Sequence, residues 1–314
     1  MHRLNKIHFA LKVIVITSFL LIPLLIVNGI LLNHYSEIAH ERTAIGAERL
    51  ARVIALQENR VIEGIRNMLS GISRFAEVQE RGETGCDKTL SVLMDDINKS
   101  NIGKFFNLGV LDLNGNVVCS AIPLTQPINA ASRLYFQNAI LTREFSVGEY
   151  QVGLVTKMRS LNFGLPVLDA NGAVKHVVFA ALDLNSLGRD VGGLTIPGGA
   201  SLTVTDSRNK VIFRYPYEET ALGLQWFPLD DEAKLEGNEE GRDIDGTVKM
   251  FGYSTLHPAR SINHLHVFVG LPLISSFTEM ISLSYVEKAA ILIGFLLVPL
   301  FGWYAARMLR RHED

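Results

Sequence analysis

Two cysteines in 314 residues are too few for a disulfide-built scaffold or a four-thiolate metal centre. Basic residues do not exceed acidic ones, 30 against 32 for a net charge of −2, and no basic stripe occurs. Nucleic acid is therefore not an expected partner. The chain has no G-x-S-x-G, no P-loop, no H-E-x-x-H and no dinucleotide glycine fingerprint. GGLTIPGG, at 192–199, is glycine-rich but lacks the Lys-Ser/Thr pair that holds phosphate and Mg²⁺, and reads as a linker. His264 and His266 would share one face of a strand, yet no cysteine or carboxylate at ligand spacing joins them. Asp230, Asp231 and Glu232 read as a solvated charge run. No enzyme activity, cofactor or metal is expected. An envelope hydrolase with an unrecognised site is the weakest of the readings kept open.

What the chain does have is hydrophobicity, 48% of its residues, concentrated at the two ends. Phe9 to Leu32 is apolar apart from Lys12, Thr17, Ser18, Pro23, Asn28 and Gly29. As a helix it reaches about 36 Å, enough to cross a bilayer. Ala289 to Ala306 is a second span, with Trp303 and Tyr304 at its exit as interfacial aromatics. A cleaved signal peptide is the rival for the first span, but its apolar run would be shorter and end at an A-x-A-like site. Arg3 and Lys6 precede the first span, and Arg307, Arg310 and Arg311 follow the second. Both termini are therefore expected in the cytoplasm, with everything between outside. Cys86 and Cys119 both fall in that external part, where they can pair, or else stand as two buried free thiols.

Between the spans, Leu50, Ile54, Val61, Ile65, Met68, Ile72 and Phe75 form a heptad-like seam interrupted by Gln57. A stalk helix over 33–81, closed by Gly82 and Gly85, would carry it. The seam suits packing along the helix's own domain and a homodimer through the stalk equally well. A short helix over Asp87 to Ile97 follows. Then the period changes. FFNLGVLD, Asn114-Gly115 and VVCSAI make a hairpin, and FGLPVLD, Asn171-Gly172 and VKHVVFAALDL make another. A helix over Ser132 to Leu141 and the strand FSVGEY lie between them. SLTVTD, Arg208-Asn209 and KVIFRYP form a third hairpin, with strands over Thr247 to Leu256 and His266 to Leu273. Asp230 to Asp245 lacks periodicity and reads as a surface excursion. The expected fold class is α+β: two membrane helices flanking a stalk helix and two tandem antiparallel-sheet modules. The boundaries are a cytoplasmic N-terminus at 1–8, spans at 9–32 and 289–306, and modules at 82–187 and 188–274. A helix at 275–288 and a tail at 307–314 complete them.

LGVLDLNGNVVCSA, SRLYFQNA, FSVGEYQVG, PVLDANG and VVFAALDL occur in that order between two membrane helices. This resembles the double Cache family, PAS-like PDC sensor domains of bacterial chemoreceptors, sensor histidine kinases and diguanylate cyclases. The resemblance covers about 34–287 and is strongest from Phe105 to Leu187. It implies a receptor in the bacterial inner membrane, with a periplasmic distal module that binds a small ligand.

The resemblance also implies the site. In the family a D-R-x-Y-F pattern opens the helix lining the pocket; this chain has Ser132-Arg133-Leu134-Tyr135-Phe136, without the leading Asp. Arg133 is the candidate carboxylate clamp, since a guanidinium offers planar paired donors; the alternative is an internal ion pair. Tyr135 and Tyr150 are candidate aromatic walls with hydroxyl handles, and Phe136 a core residue. Asp183 is a candidate partner for a ligand amine or hydroxyl, or a cap for a helix starting near Asn185. R-L-Y-F departs from the family's R-x-W-Y amino-acid pattern. Thr156-Lys157-Met158-Arg159-Ser160 departs from its T-G-K-P-like run. Lys157 and Arg159 tilt the expectation toward an anion, an organic acid or amino acid. Only RMLRRHED follows the second span, so the output is expected on a separate polypeptide, or the chain is a truncated relative or a fragment. The alternative function is a ligand-free membrane-tethered module binding another envelope protein.

Overall fold

The computed structural model describes residues 2–79, 86–99, 104–184, 196–229, 235–256, 261, 263–273 and 304. The chain divides into two compact units, one of 1–42 with 273–314 and one of Thr43–Pro272.

In the first unit the described backbone is the start of helix α1, which runs His2–Ile72 with Pro23 inside it. Phe19, Ile26, Val27 and Ile30 are exposed on it. Counted over the described residues, no helix is long and apolar enough to cross a membrane. Residues 275–288 and, but for Tyr304, 289–306 lie outside the described residues.

The second unit begins with the rest of α1. Among its buried positions Ala44, Ala47, Ala51, Ile54, Glu58, Ile62, Ile65, Leu69 and Ile72 make a seam of three- and four-residue steps that faces its own domain, with Ala55 beside it. Ile54, Ile65 and Ile72 were read correctly. Ile62 and Leu69 replace Val61 and Met68, because two adjacent aliphatics satisfy the same spacing and only packing chooses between them. Phe75 is exposed. The helix also stops earlier than Gly82, in a turn after Ile72, before α2 at Ala76–Gln79. Helix α3, Cys86–Asn98, follows.

Two five-stranded antiparallel sheets share one strand order. The first holds β1 Phe105–Leu111, β2 Val117–Ser120, β3 Ser146–Val152, β4 Arg159–Leu168 and β5 Val174–Asp183, arranged β2-β1-β5-β4-β3. The second holds β6 Ser201–Thr205, β7 Val211–Tyr215, β8 Glu236–Arg242, β9 Val248–Leu256 and β10 Leu265–Pro272, arranged β7-β6-β10-β9-β8. Helix α4, Leu134–Thr142, packs on β3, β4 and β5. The expected excursion at 230–245 is thus corrected: 236–242 is an edge strand paired with β9. EGNEEGR carries no β-branched or aromatic residue; the main-chain ladder with β9 holds it, and its outward positions, Glu236, Asn238, Glu240 and Arg242, are polar or charged, as suits an edge.

Four hairpins close through the same turn, at Asp112, Asp169, Asp206 and Asp243. In each, the aspartate N–H donates to the carbonyl four residues on, and its carbonyl accepts from the residue three on. That third residue takes positive φ: Gly115 81°, Gly172 79°, Asn209 59° and Gly246 82°, as the turn demands. At Asp112, Asp169 and Asp206 the carboxylate Oδ1 also accepts two turn N–H groups.

The second sheet's core is filled by aromatics: Trp226 meets Phe251 and Phe268 edge-on at 5.7 and 5.5 Å, and Phe227 meets Phe268 at 5.3 Å. The first sheet keeps space instead.

Candidate functional site

The space lies between one face of the first sheet, the start of α4 and the loop after β3, about 370 Å³ counting what is open to solvent at its mouth. Strand register builds its floor. Asn107 of β1 and Asn162 of β4 both stand opposite Ala181 of β5, so the three side chains share one cross-strand row and one face. Ala181 is small, which leaves room between the two carboxamides. In the next row Gly109 and Gly164 flank Phe179. A Cβ at Gly109 would sit 2.4 Å from the Phe179 ring, and one at Gly164 2.6 Å from the Tyr135 carbonyl oxygen. Both glycines are there to let rings lie on the sheet.

Each floor group is held. The Asn107 carboxamide donates to Ser120 Oγ at 2.9 Å, and Ser120 Oγ donates to the Ile122 carbonyl at 2.6 Å. The Ser120 N–H in turn donates to Asp87 Oδ1 of α3 at 2.7 Å. Beside it Cys119 is disulfide-bonded to Cys86, with a Cα–Cα distance of 6.2 Å, so the two cysteines pair rather than stand free. Ser160 Oγ donates to Asn162 Oδ1 at 2.8 Å. The Tyr135 ring is buried, and burial pushes its hydroxyl up to about 12, against a hydrogen bond with Asn162 that pulls the other way. It stays a neutral phenol at any physiological pH. Gln151 of β3 lines the cavity and is 5% exposed, and its Oε1 has no hydrogen-bond partner.

Arg133 stands at the N-cap of α4 with extended backbone and makes no side-chain cap. Its guanidinium Nη2 donates to the Val152 carbonyl at 3.3 Å. Among the described residues it makes no ion pair, so the expected alternative of an internal carboxylate partner is not what the structure displays. It is also the one charged residue lining the cavity among the described residues.

Of the residues expected from sequence, Arg133 and Tyr135 are brought together at the cavity. Phe136 is core, as expected. Tyr150 does not line it. Its ring lies on Gly223, where a Cβ would be 2.7 Å from Cε1, and its N–H donates to Asp206 Oδ2 at 2.7 Å. A register irregularity between Val147 and Tyr150 gives the inward position to Gln151. Asp183 is buried at the end of β5 opposite Ser160, two residues past Ala181 on the same face, and is not among the lining residues. The helix it was expected to cap, starting near Asn185, lies outside the described residues. Arg159 pairs with Glu219 at 2.9 Å, and Lys157 is an exposed residue with φ 59°; neither is among the residues lining the cavity. Glu149 is buried, and burial raises its carboxyl above the usual range, with Arg208 and then Arg133 acting against the rise. Asn107, Gln151 and Asn162 were missed. Only Asn107, the one polar side chain in FFNLGVL, stood out as a carboxamide in an otherwise apolar strand.

No family model matches the chain, and no curated protein matches it. Solved structures do. The extracellular domain of the histidine kinase rpHK1S-Z16 aligns with a TM-score of 0.60 at 15% identity, over 74% of this chain and 95% of that one. The ligand-binding domain of the Pseudomonas fluorescens chemoreceptor CtaA, in complex with L-isoleucine, gives 0.58 at 11% identity, over 77% and 98%. The periplasmic sensory domain of the Campylobacter jejuni chemoreceptor Tlp1 gives 0.55 at 13%, over 76% and 98%. The chain therefore has the fold of extracytoplasmic sensory domains of the double Cache type.

Proposed function

We propose that the chain is a membrane-anchored sensor whose cavity on the first sheet binds a small anionic metabolite, an organic acid or amino acid. One observation carries this reading: Arg133, the only charge lining the cavity among the described residues, has a carbonyl and no carboxylate for a partner. A planar fork of donors at the mouth of a largely apolar cleft is a site for a carboxylate. Tyr135 supplies a wall. The fold shared with the ligand-binding domain of CtaA, solved with L-isoleucine, supports the same reading, as analogy only.

The apolar run at 9–32, exposed in part on α1, and the second run at 289–306 support anchoring by two spans with both termini in the cytoplasm and modules at 82–187 and 188–274 outside. A homodimer through the helix at 33–81 and an output on a separate polypeptide belong to the same proposal. Signalling requires unequal affinity for two arrangements of the domain, since occupancy alone shifts nothing.

The test is a thermal-shift screen of the full chain in detergent against carboxylates, amino acids and amines, with Arg133→Ala beside it. At a hundredfold excess over Kd a ligand stabilises by about 2.7 kcal/mol, a rise of several degrees for a domain of this size. The rise is expected for an anion and absent in Arg133→Ala. A rise only with amines, or one that survives the substitution, sinks the reading. A flat result with folded protein favours the envelope-protein tether.

A further inference from the structure

The polar groups inside the cavity say more about the ligand than its charge. Resting on the carboxylate reading above, we propose that the ligand is a short hydroxy acid, its carboxylate on Arg133 and its hydroxyl on Gln151, and not an amino acid.

Donors and acceptors inside the cavity select the ligand's second group. Past Arg133 and the half-buried Thr156 hydroxyl, which accepts from the Met158 N–H, the cavity offers the carboxamides of Asn107, Gln151 and Asn162 and the Tyr135 phenol. All four side chains are at least nine-tenths buried. None carries a charge, and no carboxylate lines the cavity among the described residues. An ammonium group brought here would lose its hydration without meeting a counter-charge, which is far costlier than burying a neutral donor. The nearby acid Glu149 faces Arg208 and Arg133 electrostatically, and burial already pushes it toward the neutral form. It is therefore a poor anchor for a cation.

A wholly apolar tail fits no better. Asn107 and Asn162 are committed to Ser120, Ser160 and Tyr135, but Gln151 Oε1 is buried with no partner. A buried acceptor left unmade costs about 1–3 kcal/mol, and a ligand that brings one neutral donor recovers it. A hydroxyl both donates and accepts, so it suits a carboxamide whichever way the amide is turned. The walls of Val117, Ile128, Leu154 and Phe179 leave the rest of the ligand small and apolar.

Matched triplets test this, titrated calorimetrically into the full chain in detergent: lactate, propionate and alanine, then malate, succinate and aspartate. Within each set the group beside the carboxylate is hydroxyl, hydrogen or ammonium. The hydroxy acid is expected to bind at least about tenfold tighter than either companion in at least one set. Gln151→Leu should reduce its advantage over the hydrogen analogue to less than about threefold, while Arg133→Ala abolishes binding of all members. Alanine or aspartate binding as tightly as its hydroxy acid, with Arg133 still required, overturns the hydroxy-acid assignment and keeps the carboxylate site. Equal affinity for lactate and propionate and for malate and succinate overturns it too. No binding in either set, from protein whose melting is cooperative, removes both proposals together. Gln151→Glu is the second variant: it should admit alanine or aspartate at the expense of the hydroxy acid, and a variant that leaves the order unchanged counts against the assigned contact.

Discussion

At the scale of single residues, the site depends as much on absent side chains as on present ones. Gly109, Gly148 and Gly164 are where Phe179 and Tyr135 rest on the sheet; a Cβ at Gly148 would lie 3.3 Å from Tyr135 Cβ and 2.8 Å from the Asn162 carbonyl oxygen. Gly164→Ala places a methyl 2.6 Å from a main-chain oxygen at the start of α4, which backbone movement alone can relieve. A loss of about 1–3 kcal/mol in urea unfolding is expected, together with weaker ligand binding because Arg133 and Tyr135 move with the helix. Unchanged stability and affinity would mean that α4 is free to shift, and the tight floor described above would be wrong. Arg133 and Tyr135 were legible in sequence through a pattern. Asn107, Gln151 and Asn162 were not, because alternation distinguishes faces of a strand but not a cavity from a core. A carboxamide facing inward looks the same in a string of letters as one facing water.

At the scale of elements, the second sheet is stapled by buried charge. Asp243, at the turn between β8 and β9, meets Arg214 of β7 and Lys249 of β9 at 2.8 Å each, and Ser201 of β6 donates to it at 2.7 Å. Burial pushes the Asp243 carboxyl up, but the hydrogen bonds from Arg214, Lys249 and Ser201 outweigh that and leave it lowered from 3.8 to about 2. A depressed carboxylate pKa contributes stability that is fully present above pH 3.8 and lost as pH falls through about 2. The contribution is about 1–2 kcal/mol, read as a slope in unfolding free energy between pH 4 and 2. Asp243→Asn should remove that slope and cost roughly 3 kcal/mol, since two buried cations lose their counter-charge. An acid slope unchanged in the variant would place it elsewhere. Of the two hairpins around this cluster, the one with Arg208-Asn209 at its turn was readable and the one with Asp245-Gly246 was not. Strand β8 was not, since glutamate and glycine carry no strand preference and its place is fixed by β9, a partner distant in the reading.

At the scale of the whole molecule, the two sheets repeat one strand order while their interiors diverge, one packed with aromatic rings and one left hollow. The disulfide belongs to the hollow one. It closes a 33-residue separation, worth about 3–4 kcal/mol in the chain-entropy model. It also fixes α3 behind β2, where Asp87 and Ser120 carry its position through to Asn107. Reduction is therefore expected to lower both the melting temperature and the ligand affinity, and Cys86→Ser with Cys119→Ser should reproduce both. A lowered melting temperature with unchanged affinity would separate the bond from the site.

Helix α1 crosses the second sheet where a Cβ on Gly252 would lie 2.0 Å from the Ala47 carbonyl carbon. Main chain rides directly on main chain there, and Ala44, Ala47 and Ala51 line the helix on that side. Glu48 and Arg52, one residue round, are tied to Asn238 and Glu236 of β8. Turning the helix would drive a long charged side chain into the strand, whereas sliding it by one turn, about 5.4 Å, exchanges one methyl for another. The contact thus behaves as a key in its slot, with no room at Gly252 for any side chain and small residues alone on the helix face against it.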